Sequence, residues 1–183
     1  MALSVTALAG AVLLLSVESS LQTTTEAVER TIADGIAQQT LNEILSKRYV
    51  EAGESGDGTG SGALGPTLWE SGGNGMERFN DIDDYAGYSA LPLKGVYGEA
   101  LGTGDDQGNQ RLSNFRLRSD FFQNWRQRVQ VYYVDPNNPS ASSATATAYR
   151  AIEVQIEFID SKGAVHPLAN RKRIIAYIMP STS

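Results

Sequence analysis

The first fifty residues form one uninterrupted pattern that starts apolar and ends amphipathic. Residues 1–17 carry no charged side chain, and no proline occurs before Pro66. Seventeen residues of helix, at 1.5 Å each, reach about 26 Å, slightly less than the roughly 30 Å hydrocarbon core of a bilayer. Such an apolar helix has to be covered by lipid or by other protein.

Three interpretations of this segment are open. A cleaved secretory signal needs a basic residue before the apolar run and a small-residue cleavage site, but the first basic residue is Arg30. A helix buried in the protein's own core is the second. The third, which we favour, is a membrane-inserted helix whose polar continuation emerges into water, because the helical pattern passes through any plausible cleavage site. The residues assigned to this membrane and assembly helix are Leu3, Val5, Leu8, Gly10, Val12, Leu13, Leu14, Leu15 and Val17.

The second half of the same pattern predicts an amphipathic helix. Apolar residues recur at spacings that place them along one stripe of a helix, with charged and amide side chains on the other faces. We therefore predict one continuous helix over residues 1–50, whose second half packs against the remainder of the chain. The residues predicted to make that contact are Val28, Ile32, Ile36, Leu41, Leu45 and Tyr49.

The remaining residues predict a connector followed by a β-rich head. Residues 51–66 are rich in glycine, serine and acidic residues, which is typical of a flexible linker. Within the head, residues 67–183, the first part is irregular. The segments "WRQRVQVYYV" and "AIEVQIEFI" then alternate apolar and polar residues, and "RIIAYIM" at 173–179 is the predicted last strand. The fold class predicted is α+β, a long helix laid on the apolar face of a C-terminal antiparallel sheet.

Composition excludes several classes of function. A net charge of −6 and a pI near 4.8 argue against nucleic-acid binding. The chain has no cysteine, which excludes disulfides, thiol catalysis and cysteine metal sites, and its one histidine, His166, makes a Ser-His-Asp triad improbable. Carboxylate pairs could serve glycosidase chemistry, but nothing in the pattern indicates a cleft. We predict that the protein is not an enzyme and has no resident cofactor, calcium being the one candidate.

The calcium candidate is an acidic segment in the head. Asp81, Asp83 and Asp84 are close enough in sequence to repel one another, and a hard cation with six to eight oxygen ligands would relieve that repulsion. The spacing is not that of an EF-hand loop. The alternative is that these carboxylates cap turns and face water, with Ile82 and Tyr85 packing inward.

Three segments together resemble a known superfamily. The N-terminal "ALSVTALAGAVLLLSVESSLQ" with "AVERTIADGIAQQTLNEIL" is similar to the helix of type IV pilins and type II secretion pseudopilins. "RFNDIDDYAGYSALP" at 78–92 and "VQVYYVDPNNP" followed by "YRAIEVQIEF" resemble minor pilins of the mannose-sensitive haemagglutinin type. The resemblance implies a pilin-like fold and a structural subunit of a pilus or secretion filament. It also implies other pilin subunits, prepilin peptidase and the assembly machinery as partners, and the inner membrane as the location before assembly.

The chain departs from that superfamily at its N-terminus. The leader-peptidase motif, Gly followed by Phe-Thr-Leu-x-Glu, is not found, and the first glutamate is Glu18. Either the sequence begins inside the usual segment, or Met1 is the processed residue and Val5 takes the place of the glutamate. Two further readings stay open: a single-pass anchored binding module that forms no filament, and a secreted domain whose first residues are a signal.

Overall fold

A computed structural model describes residues 2–50, 64–104, 110–118 and 120–177. It contains one long helix, α1 (Ala2–Leu45), and five strands: β1 (Ser89–Ala90), β2 (Trp125–Asp135), β3 (Asn138–Ser142), β4 (Tyr149–Ile159) and β5 (Val165–Ala176). Two short 3-10 turns lie at Asp83–Tyr85 and Ser113–Phe115. Most of the predicted connector, residues 51–63, lies outside the described residues. The predicted α+β class, a long helix packed on an antiparallel sheet, is confirmed.

The sheet is antiparallel throughout, in the order β1-β2-β4-β5, and β3 pairs with the far end of β2. The two strands with the strongest sequence alternation, β2 and β4, lie side by side, with Val129 opposite Val154 and Val131 opposite Ile152. Because side chains alternate between faces, these four residues share one face and are buried there. The period-2 pattern therefore predicted both the strands and the face that α1 covers.

The last strand is longer than predicted. Strand β5 begins at Val165, eight residues before the predicted start at Arg173, and lies along β4 for its whole length. The first part of this strand was not predicted, because Pro167 lacks an N–H donor and the basic run "RKR" interrupts the apolar pattern. Both features suit an edge strand, and the register shifts by one residue next to Pro167. The turn before it, Asp160–Gly163, is as predicted, with Gly163 at φ +81°.

Only the second half of α1 packs on the sheet. The core residues of the helix are Ala33, Ala37, Leu41 and Ile44, and the partly buried side chains that pack against this core include Ile32, Ile36, Leu45 and Tyr49. The prediction was wrong at Val28, which is 52% exposed. At about 100° per residue, Val28 lies roughly 180° around the helix from Ala37. The stripe predicted from the larger apolar residues therefore departs from the packing face at Val28, because the centre of that face consists of alanines.

Candidate assembly surface and acidic loop

The first half of α1 extends beyond the head as an uncovered apolar helix. Leu13, Leu14, Leu15 and Val17 are all exposed, and Leu21 is 64% exposed. Leu3, Val5, Leu8, Gly10 and Val12 lie in the same helix, but their side chains lie outside the described residues. Within the part of the chain that the structure describes, no helix combines the length and hydropathy that a membrane span requires.

The exposed residues continue as a stripe that faces away from the head. Leu14, Leu21 and Val28 are spaced by seven, which places them on nearly one line along a helix. Taking 100° per residue, Leu21 is about 160° from Ala37, at the centre of the face that packs on the sheet. We call Leu14, Leu21 and Val28 the outer stripe. None of its side chains belongs to the core or packs against it, and exposed apolar residues that line up in this way mark an interaction surface.

The three predicted calcium ligands lie in a loop that uses their oxygens internally. Asp81 Oδ1 accepts the backbone N–H groups of Asp83 and Asp84 at 2.7 and 3.3 Å. Asp84 Oδ2 accepts those of Asn80 and Asp81 at 2.7 and 3.1 Å. Asp83 Oδ2 lies 2.7 Å from Nη2 of Arg150. The aspartates therefore hold a loop and its 3-10 turn in place, and Asp81 and Asp84 are buried, not solvated.

No group of three or more acidic or histidine side chains among the described residues is arranged to hold a metal ion. Binding Ca²⁺ at these aspartates would compete with the backbone N–H groups and with Arg150 for the same oxygens. Calcium stays a prediction from the sequence, and the geometry adds nothing in its favour.

A fourth acid, Glu70, joins this loop and was not singled out from the sequence. Its Oε2 accepts the backbone N–H and the hydroxyl of Thr67 at 2.8 and 2.7 Å, and its Oε1 accepts the side-chain amide of Asn80 at 2.6 Å. The Thr-x-x-Glu spacing of "TLWE" is that of a capping box, which is the signal that could have identified the pair. Glu70 is buried and is hydrogen-bonded to the carboxyl of Asp84.

The two carboxyl groups of Glu70 and Asp84 have opposite pKa shifts. Burial raises the pKa of Asp84 from 3.8 to about 6, and the charges of Asp81 and Glu70 add to the rise against the backbone N–H groups of Asn80 and Asp81. Burial also opposes ionisation of Glu70, but the hydroxyl and backbone N–H of Thr67 hold its pKa below the usual value. Between these two pKa values, at mildly acidic pH, Asp84 keeps its proton while Glu70 is ionised, and the acid donates to the carboxylate.

Replacing Asp84 with asparagine should stabilise the protein above pH 6. An acid whose folded pKa is raised contributes stability that is complete below its unfolded pKa, 3.8, and is lost as the pH rises through about 6. The Asp84→Asn amide can donate to Glu70 at any pH, so at pH 8 we expect a gain of the order of 1–3 kcal/mol in the free energy of unfolding, and none at pH 4. Urea unfolding at both pH values measures it.

Glu70→Gln is the matched control for that experiment. All of the donors around Glu70 need an oxygen acceptor, and an amide nitrogen would face one of them, so this variant should be destabilised at both pH values. An equal gain in the free energy of unfolding from Asp84→Asn at pH 4 and pH 8 would contradict the conclusion that protonated Asp84 donates a hydrogen bond to Glu70.

Arg150 connects the acidic loop to the end of α1 and to the sheet. Its side chain is completely buried, forms the ion pair with Asp83, and donates from Nη1 to the backbone carbonyl of Tyr49. The guanidinium carbon lies 4.4 Å from the ring centre of Tyr49 and 5.5 Å from that of Tyr133. The sequence offered a signal here too, because Arg150 has the same strand parity as Ile152 and therefore points to the covered face.

No protein-family model matches the chain, and no curated protein or solved structure matches it either. The contacts of Glu70, the three aspartates and Arg150 give these groups a structural role in the head. The outer stripe is an exposed apolar surface of the kind that a partner covers.

Proposed function

We propose that this chain is a non-enzymatic, pilin-like structural subunit of a type IV pilus or type II secretion filament. In this proposal, the exposed half of α1 is held in the inner membrane before assembly and then packs against the same helices of neighbouring subunits. The observation that carries the proposal is the outer stripe: an exposed apolar line on a continuous helix, turned away from the packing face and outside the core.

The division of α1 into two halves supports assembly. The core of the head uses α1 only from about Ile32 onward, where packing on the sheet begins. The preceding thirty or so residues add roughly 45 Å of helix that the head does not use. Such a helix satisfies its own backbone hydrogen bonds, so it can move between lipid and a bundle of other helices without exposing polar backbone groups.

Burial of the outer stripe supplies the energy for such packing. Each large aliphatic side chain removed from water contributes about 1.5–3 kcal/mol. A seven-residue spacing also keeps the stripe in line with a neighbouring helix at a small crossing angle. Because α1 carries apolar residues on all sides at Leu13 to Leu15, it can contact more than one neighbour there.

Cysteine cross-linking tests the proposal, since the chain has no cysteine of its own. Leu14→Cys, Leu21→Cys and Val28→Cys would be made in separate copies and co-expressed in pairs in cells that produce the protein, so that copies staggered along the helix axis can still react, and treated with a short bis-maleimide. We expect cross-linked pairs of subunits from these outer-stripe variants. Thr23→Cys is the matched control, because Thr23 lies on the same helix about 160° from Leu21. A protein that stays in the membrane and forms no cross-link from any stripe variant would be the anchored binding module instead.

A further inference from the structure

The loop formed by residues 110–118 is a second exposed surface with a distinct chemistry. Leu112 and Phe115 are 76% and 72% exposed, and Leu117 is also exposed. Arg116 lies between Phe115 and Leu117, Arg111 and Arg118 flank the apolar residues, and the loop contains no acidic residue. Apolar side chains with arginines beside them give this loop a positive charge in a protein whose net charge is −6.

Backbone hydrogen bonds fix the shape of this loop. Residues Ser113–Phe115 form a 3-10 turn, and the N–H of Phe115 donates to the carbonyl of Leu112 at 2.9 Å. On either side of the turn, Arg111 and Leu117 donate to the carbonyls of Thr103 and Gly102 at 2.8 and 3.0 Å. The turn therefore presents its apolar side chains in a defined arrangement, which lowers the entropy cost of docking.

The complementary surface is on α1 itself. Between residues 18 and 30 the helix carries three glutamates, Glu18, Glu26 and Glu29, against the single Arg30. At 100° per residue, Glu18 lies about 60° from Leu21 and flanks the outer stripe, and Glu29, which is partly buried, lies about 80° from Leu21 toward the packing face. This stretch offers Leu21 and Val28 for apolar contact and carboxylates for arginine, which matches the loop in both respects.

The start of the loop lies beside a different part of its own α1. Arg111 borders a cavity of about 170 Å³ together with Gln39 and Glu43, so the loop lies beside the second half of the helix. From Gln39 to Glu29 and Glu18 the distances along the axis are roughly 15 and 32 Å. A second copy of the chain, displaced along the helix axis by a distance in this range, brings its loop onto the exposed stretch.

We propose that the loop of residues 110–118 in one subunit docks on residues 18–29 of α1 in a second copy of the chain. Leu112 and Phe115 contact Leu21 and Val28, and Arg116 pairs with Glu29, while Leu14 and the residues before it remain for packing against neighbouring helices. The inference rests on the proposed function, since it describes how the heads and helices of successive subunits are staggered. It adds the specific head surface that covers the helix where the helix leaves its own head.

A two-site cross-link tests the docking. Full-length chains carrying Phe115→Cys and Val28→Cys would be co-expressed and treated with a short bis-maleimide. We expect a cross-linked pair of the two variants, and much less product when Leu68→Cys, an apolar site outside the loop that is even more exposed than Phe115, replaces Phe115→Cys. Arg116→Glu should lower the yield several-fold, and Glu29→Arg should restore it in the Arg116→Glu background.

The outcomes separate this inference from the proposed function. If the outer-stripe cross-links form but the Phe115–Val28 pair gives no more product than the Leu68 control, the docking is wrong and the filament proposal stands. If neither forms, both are wrong. If the Phe115–Val28 pair fails while Arg116→Glu abolishes binding to phosphatidylglycerol vesicles, the loop binds a lipid surface and the docking on α1 is overturned.

Discussion

Replacing Arg150 with methionine is expected to lower the free energy of unfolding by about 3–5 kcal/mol, the usual cost of breaking a buried ion pair by removing one partner. The substitution leaves the Asp83 carboxylate next to the core without its cation and removes the hydrogen bond to the carbonyl of Tyr49. It also removes a cation from the rings of Tyr49 and Tyr133. Urea denaturation of the full chain, followed by circular dichroism, measures the loss.

Arg118→Met is the matched control. Arg118 forms an ion pair with Asp120 at 3.0 Å on the surface, where such pairs contribute about 0.2–1 kcal/mol. If Arg150→Met does not fold at all, Asp83→Asn gives a milder test of the same pair. A loss from Arg150→Met no larger than that from Arg118→Met would show that the loop, the helix end and the sheet are not joined through this residue.

Placing charges on the outer stripe is expected to abolish assembly while leaving the head intact. In the variant Leu14→Glu with Leu21→Glu, two apolar contacts are lost, each worth about 1.5–3 kcal/mol, so incorporation should fall on the order of 100-fold or more. The head should be unaffected, because both side chains are exposed and face away from the sheet. The yield of the chain in sheared filaments, against its total amount in the cell, measures incorporation.

Thr23→Glu provides the comparison for the stripe variant. It introduces one negative charge, half that of the stripe variant, within the same helix but about 160° from Leu21, and its expected effect on incorporation is smaller than that of Leu21→Glu alone. Equal loss from both changes would mean that any charge in this half of α1 prevents assembly, and the outer stripe would then have no special role. Unchanged incorporation of the stripe variant would remove the observation on which the proposed function stands.

The elements with a repeating pattern could be predicted from the sequence. Helix α1 could be predicted because no proline interrupts residues 1–50. Strands β2 and β4 could be predicted because the two faces of each strand differ in polarity. Their packing followed, since each offered an apolar surface that the other could cover. The position of the packing face on α1 was harder to predict, because Ala33 and Ala37 permit close approach of helix and sheet but add little to an apolar pattern.

The contacts between distant segments could not be predicted in the same way. The buried charged groups come from distant parts of the sequence: Glu70, Asp84 and Arg150 are separated by up to eighty residues. Each of them is of a residue type that is usually exposed. Their burial is stable only because they satisfy one another and the backbone of the loop, and pairing of that kind leaves no periodic signal. The acidic segment was therefore found, but its role as a buried loop anchored by Arg150 required the three-dimensional arrangement.

One measurement tests the central claim most directly: mass spectrometry of the filaments sheared from cells that make this protein, with attention to the N-terminal peptide of the chain. If it is a pilin-like subunit, its peptides are found in the filament fraction, and its N-terminal residue is methylated after removal of a leader. If its peptides occur only in the membrane or soluble fraction, with an unmodified N-terminus, the chain is not a filament subunit, and the exposed half of α1 serves another purpose.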